Sequence, residues 1–78
     1  MVKSKKHRRN ETAISIVAMN IKKYRKLKGL TITQLANMLE VDYTQVGRME
    51  RSVVNPNISI IWDIAEILKI KPSQLLEE

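Results

Sequence analysis

The chain has 78 residues, 44% of them hydrophobic, no cysteine and a formal net charge of +6. This describes one small domain held by aliphatic packing, with disulfide staples excluded and a structural metal left without ligands. Ten of the 14 Lys and Arg fall between Lys3 and Lys28, where Glu11 is the one acid, so the charge points to a polyanionic partner met on one side or to a solvated basic face.

Residues 1–11 are charged and lack apolar periodicity, which reads as a disordered basic arm, and residues 12–78 as the folded domain. The arm could follow a minor groove or serve as a solubilising tail; in both cases it adds salt-sensitive, non-specific attraction to polyanions. Its lone His7 is not a metal or catalytic residue. A first helix is predicted over Thr12–Lys28, with Ile14, Val17, Ala18, Ile21, Tyr24 and Leu27 as its apolar stripe. Gly29 closes it, with Lys28 suited to the negative helix end.

Thr31-Ile32-Thr33-Gln34 matches a capping box and opens a second helix, whose buried side is Leu35, Ala36 and Leu39. Leu39-Glu40-Val41-Asp42 leaves room only for a sharp reversal. Asp42 is placed to cap a third helix, with Gln45 at the third position, and Val46 and Met49 facing inward. Two helices crossing steeply over so short a turn leave the second protruding, ready to enter a DNA major groove. Arg51 to Pro56 is a loop. Asn57 caps a fourth helix from Ile58 to Leu68, with Ile58, Ile61, Ile64, Ala65 and Leu68 inward. Pro72 starts a short fifth helix reaching Leu76.

The run from Ile21 to Leu76 resembles the phage-repressor (Cro/repressor-like, XRE) helix-turn-helix family. The matching residues are Lys26-Leu27-Lys28-Gly29-Leu30-Thr31, then Leu35-Ala36, Leu39 and Val41. Val46, Arg48-Met49-Glu50-Arg51, Asn55-Pro56, Ile64-Ala65 and Leu75-Leu76 follow in the family's order. The resemblance implies an all-α, five-helix, lambda-repressor-like domain with the helix-turn-helix in helices 2 and 3. Among small members it is most similar to the controller proteins of restriction–modification systems. Three positions depart from the pattern. Ile32 stands where members carry a phosphate-touching Gln, Glu40 replaces the turn glycine, and Ser52 replaces the glycine after the Glu-Arg pair. A positive φ at Glu40 or Ser52 would cost stability.

With Val46 and Met49 buried, Tyr43, Thr44, Gln45, Gly47 and Arg48 are left to face a groove. Gln45 can pair with adenine and Arg48 can fork onto guanine. Thr44 can offer a hydroxyl or a methyl, and Tyr43 can reach a phosphate or a thymine methyl. The base-contact set is therefore Tyr43, Thr44, Gln45 and Arg48. Gly47, poor for a helix, suggests close approach to DNA. Thr31 and Thr33 at the start of helix 2, with Arg51, Ser52 and Asn55 after helix 3, form the phosphate-contact set. The family pairs Arg25 with Glu50 as a structural ion pair.

Ile60, Trp62, Ile67, Ile70 and Leu76 exceed what the inward stripe of helix 4 can absorb, which suggests a dimer interface. A two-fold dimer would set two reading helices about 34 Å apart on a near-palindrome. The expectation is a cytoplasmic, nucleoid-associated, homodimeric transcriptional regulator that binds double-stranded DNA, without cofactor, metal or small-molecule ligand. The alternative is a protein-interaction module, antitoxin-like, docking through helices 4 and 5. Catalysis is not expected, since the acids are scattered and no phosphate-cradling loop occurs. A basic start with no long apolar segment after it gives neither a secretory signal nor a membrane span.

Overall fold

The computed structural model describes residues 9–78, so the expectation for the arm holds no counterpart at residues 1–8, which lie outside the described residues. The chain order is α1 (Glu11–Leu27), α2 (Ile32–Leu39), α3 (Tyr43–Glu50), α4 (Ile58–Leu68) and a one-turn 3-10 helix (Pro72–Leu76). The described residues are thus all-helical, but the expected fifth α-helix is a 3-10 turn. Pro72 supplies its first position, and five residues are too few to sustain α-helical bonding.

Order begins earlier than the sequence suggests. Asn10 caps α1, its side-chain oxygen accepting from the Ala13 N–H at 2.9 Å, and this moves the helix start to Glu11. Thr31 and Gln34 form the reciprocal capping box on α2, at 3.0 and 2.8 Å. Asn57 caps α4 through the Ile60 N–H at 2.9 Å. Asp42 occupies the cap position of α3 but makes no side-chain cap bond; Gln45 instead donates its backbone N–H to the Asp42 carbonyl.

All four α-helices end with the same double closure. In each, one N–H just beyond the helix reaches back five residues, and the one before it reaches back three: Leu30 to Arg25 and Gly29 to Lys26, Val41 to Ala36 and Glu40 to Asn37, Val53 to Arg48 and Ser52 to Met49, Ile70 to Ala65 and Lys69 to Glu66. This Schellman geometry requires a left-handed residue each time. Gly29, Glu40, Ser52 and Lys69 take it, with φ of 73°, 60°, 62° and 58°. Three of the four carry a Cβ in a conformation that glycine adopts without strain.

The core is aliphatic, with Ile21, Leu35, Val46, Met49, Ile64, Leu68 and Leu75 fully buried. It lies where α2 and α3 meet α1 and α4, and the 3-10 turn closes it against α1 and α4. Two residues assigned inward are not: Leu27 and Ile58 are exposed. Each stands at a helix terminus, beyond the reach of the elements that cover the rest of its stripe. One buried polar group holds the C-terminal segment. Asn20 on α1 donates to the carbonyls of Leu75 and Glu77, at 3.0 and 2.7 Å, which anchors the 3-10 turn across the sequence.

Candidate nucleic-acid interface

The corner between α2 and α3 is built by the left-handed Glu40, whose closure turns the chain within Glu40–Asp42. Apolar Val41 then packs on the core, which fixes the angle at which α3 leaves. Val46 and Met49 anchor α3 inward, so its opposite side stands free. Thr44, Arg48 and Arg51 follow at i, i+4 and i+7, so they share one side of the helix, and all three are exposed. Tyr43, Thr44, Gln45 and Arg48 are all exposed. Gln45 shares a shallow polar hollow with Glu40 and Asp42, so acids border its side of the helix.

Gly47 departs from its expectation. It is buried, and what covers it is the guanidinium of Arg51, 3.0 Å from the place a Cβ would occupy. Arg51 is exposed and folds back along α3 rather than away into the loop.

Of the phosphate set, Thr31, Thr33 and Asn55 are exposed and Ser52 is half-buried. The Thr31 hydroxyl is already engaged in its cap. Ile32, where relatives by resemblance carry a polar residue, is half-buried and packs on the core. The α2 N-terminus thus presents Thr33 and free backbone N–H groups to solvent.

Behind α3 the chain is held by two arginines. Arg25 donates through Nε and Nη2 to the two carboxylate oxygens of Glu50, at 2.7 and 3.0 Å, and through Nη1 to the Leu30 carbonyl at 2.8 Å. Both side chains are buried, 8% and 5% exposed. Hydrogen bonding to Glu50 raises the Arg25 guanidinium above its ordinary value against the opposing effect of burial, so it stays charged. This fork ties the end of α3 to α1 and to the closure of α1.

The second arginine was not expected in the folded part. Arg9 pairs with Glu11, at 2.8 and 3.2 Å, and also donates to the carbonyls of Ser52 and Val53, at 3.2 and 3.3 Å. It braces the loop after α3 against the start of α1. Asn10, directly after it, carried the signal that could have revealed this: an Asn three residues before an alanine and an apolar stripe is a helix cap, and a cap orders its neighbours.

The sequence pattern of the helix-turn-helix family matches residues 21–75. The chain belongs to this family. Within it the chain is similar to the HTH-type transcriptional regulator SinR of Bacillus subtilis, 30% identical over 64 residues. That alignment takes in 81% of this chain but 58% of SinR, so the chain spans little more than half of that relative. A crystal structure of SinR in complex with DNA superimposes with a TM-score of 0.73 at 29% identity, covering 78% of this chain and 98% of that one. The hypothetical transcription factor NHTF from Neisseria gives 0.81 at 27% identity over 99% and 90% of the two chains. The restriction-modification controller protein C.AhdI from Aeromonas hydrophila gives 0.77 at 28% identity over 82% and 97%. The phage-repressor-like membership that the sequence suggested is therefore correct.

Two further properties bear on chemistry. No cluster of His, Asp or Glu among the described residues could hold a metal ion. No described helix is long and apolar enough to cross a membrane.

Proposed function

We propose that the chain is a sequence-specific, DNA-binding transcriptional regulator that reads double-stranded DNA with α3. The observation that carries this reading is the free ridge of α3, where Thr44 and Arg48 stand exposed above the buried Val46 and Met49. Family membership and the likeness to a structure titled as a DNA complex support it. In this reading Arg48 forks onto a guanine and Thr44 meets a thymine methyl or a base-edge donor. Tyr43 and Gln45 flank them, and Thr33, Ser52 and Asn55 touch phosphates that set the register. The protein would not be an enzyme; it would act by occupancy.

The test is binding to random-sequence duplexes over a salt series, followed by selection of preferred sites. A steep negative dependence on salt is expected. So is loss of preference at one base pair in Arg48→Ala with other positions unchanged. Salt-independent or negligible binding would overturn the reading and favour a protein-docking module.

We also propose that two copies associate through α4 and the C-terminal turn. Of the five residues assigned to this interface, Ile60, Ile67 and Ile70 are half-buried against the protein's own core. Trp62 and Leu76 remain 54% exposed each, and Ile58 stands one turn before Trp62. Leu76 also lines an apolar groove of about 360 Å³ with Ile14, Val17, Pro56 and Ile61. The surplus that suggests self-association is thus narrower than composition implied, and centres on Trp62 and Leu76. Sedimentation at tens of micromolar is expected to give a dimer mass that Trp62→Ala reduces; a monomer throughout would sink the proposal.

A further inference from the structure

Resting on the reading of α3 as the DNA-reading helix, we propose that Arg51 reads a base and that Gly47 exists to seat it. Position and geometry agree. Arg51 follows α3 directly and lies four residues after Gly47, so the two share one side of the helix. Long side chains on a helix lean back toward its N-terminus, and Arg51 does so. A Cβ added at Gly47 would stand 3.0 Å from Nη1, 3.9 Å from Cζ and 4.0 Å from Nη2 of Arg51. Every one of these atoms belongs to the guanidinium. The missing side chain of Gly47 is filled by that group, which rests along the helix beside Thr44 and Arg48 instead of reaching out from the loop.

The charge state makes the placement informative. Arg25 and Arg9 each spend their guanidinium on a carboxylate and on backbone carbonyls. Among the described residues the Arg51 guanidinium has no hydrogen-bond or ion-pair partner, and the residue is exposed. A free planar fork held against a reading helix suits bidentate donation to guanine O6 and N7. Arg48 offers a second fork on the same ridge. The ligand class that fits is a half-site with two G·C pairs within the stretch of major groove that α3 spans. Glycine inside a helix costs stability, and seating Arg51 gives that cost a purpose.

The experiment compares wild type, Gly47→Ala, Arg51→Ala, Arg51→Lys and the Gly47→Ala/Arg51→Ala double variant. Each is titrated, over a salt series, against the duplex selected from a random pool and against all its single-base variants, with thermal melts alongside. Gly47→Ala should melt a few degrees higher, since the added methyl displaces only the flexible end of a side chain and alanine favours the helix. The same variant should lose preference at one G·C pair by about tenfold. Arg51→Ala and Arg51→Lys should lose preference at that same pair. Arg51→Lys should keep the salt slope because its charge is retained, and Gly47→Ala should add nothing in the Arg51→Ala background.

If Arg51→Ala weakens all duplexes alike, reduces the salt slope by about one and leaves base preference intact, Arg51 is a phosphate contact and the proposal falls alone. If wild type itself lacks steep salt dependence, the reading of α3 falls and takes this proposal with it.

Discussion

Removing the Arg25 side chain tests what holds α3 in place. Arg25→Ala deletes three hydrogen bonds at once and leaves the Glu50 carboxylate, 5% exposed, with no cation beside it. The Leu30 carbonyl loses its partner as well. Breaking one side of a buried pair costs about 3–5 kcal/mol, because the remaining charge stays in the interior. A domain of this size has roughly 4–12 kcal/mol of stability in total. The melting temperature followed by helical circular dichroism should therefore fall on the order of 20 °C. The double variant Arg25→Met/Glu50→Leu removes both charges and fills the space with apolar groups. It should recover most of the loss, and so keeps the reasoning testable if the single variant does not fold. At temperatures where it is folded, that double variant should retain DNA binding. A cost below about 1 kcal/mol, typical of an exposed pair, would refute burial as the source of the effect. Lower DNA affinity in Arg25→Ala with an unchanged melting temperature would instead make Arg25 a reader.

Three other outcomes follow from particular contacts. Lys69→Gly relieves a left-handed Cβ at the end of α4, outside the residues proposed to touch DNA, so stability should rise by roughly 0.5–1 kcal/mol with DNA affinity unchanged, and a melt that falls instead would contradict the strain. Asn20→Ala strands the carbonyls of Leu75 and Glu77 and should cost about 1–3 kcal/mol, with the amides of the C-terminal turn exchanging faster than those of α2. The Arg9 fork holds the Glu11 carboxyl below its usual range, so the pair's contribution is present above that range and fades as pH falls through the lowered midpoint. Carboxyl titration by NMR should show the Glu11 midpoint rising in Arg9→Ala; an unmoved midpoint would mean that the pair does not persist in solution.

The helices themselves were legible in the sequence because their signals are local. The apolar spacing of α1, the Thr31–Gln34 box and the Asn57 cap each act over four to seven residues, and each appears where its pattern stands. The same holds for the inward pair Val46 and Met49, which decides which side of α3 is free. The family resemblance, which implies glycines at Glu40 and Ser52, raised these two as left-handed positions, although nothing in the local sequence marks Lys69 as a third. Its conformation is imposed by Ile70, which must turn back to cover the core after α4 has ended.

What only the tertiary structure decided involves residues far apart in the chain. Asn20 looks like a surface residue until Leu75 and Glu77 bring their carbonyls to it. Arg9 looks like part of a charged tail until the loop after α3 arrives beside it. Gly47 looks like an opening toward a ligand, yet the space above it belongs to Arg51, a relation that depends on the direction a side chain takes rather than on its spacing. Ile58 and Leu27 fit their stripes by periodicity and fall outside the core because no neighbouring element extends that far. Periodicity fixes which side of a helix is apolar; only packing determines how much of that side is covered, and by which distant partner each polar group is met.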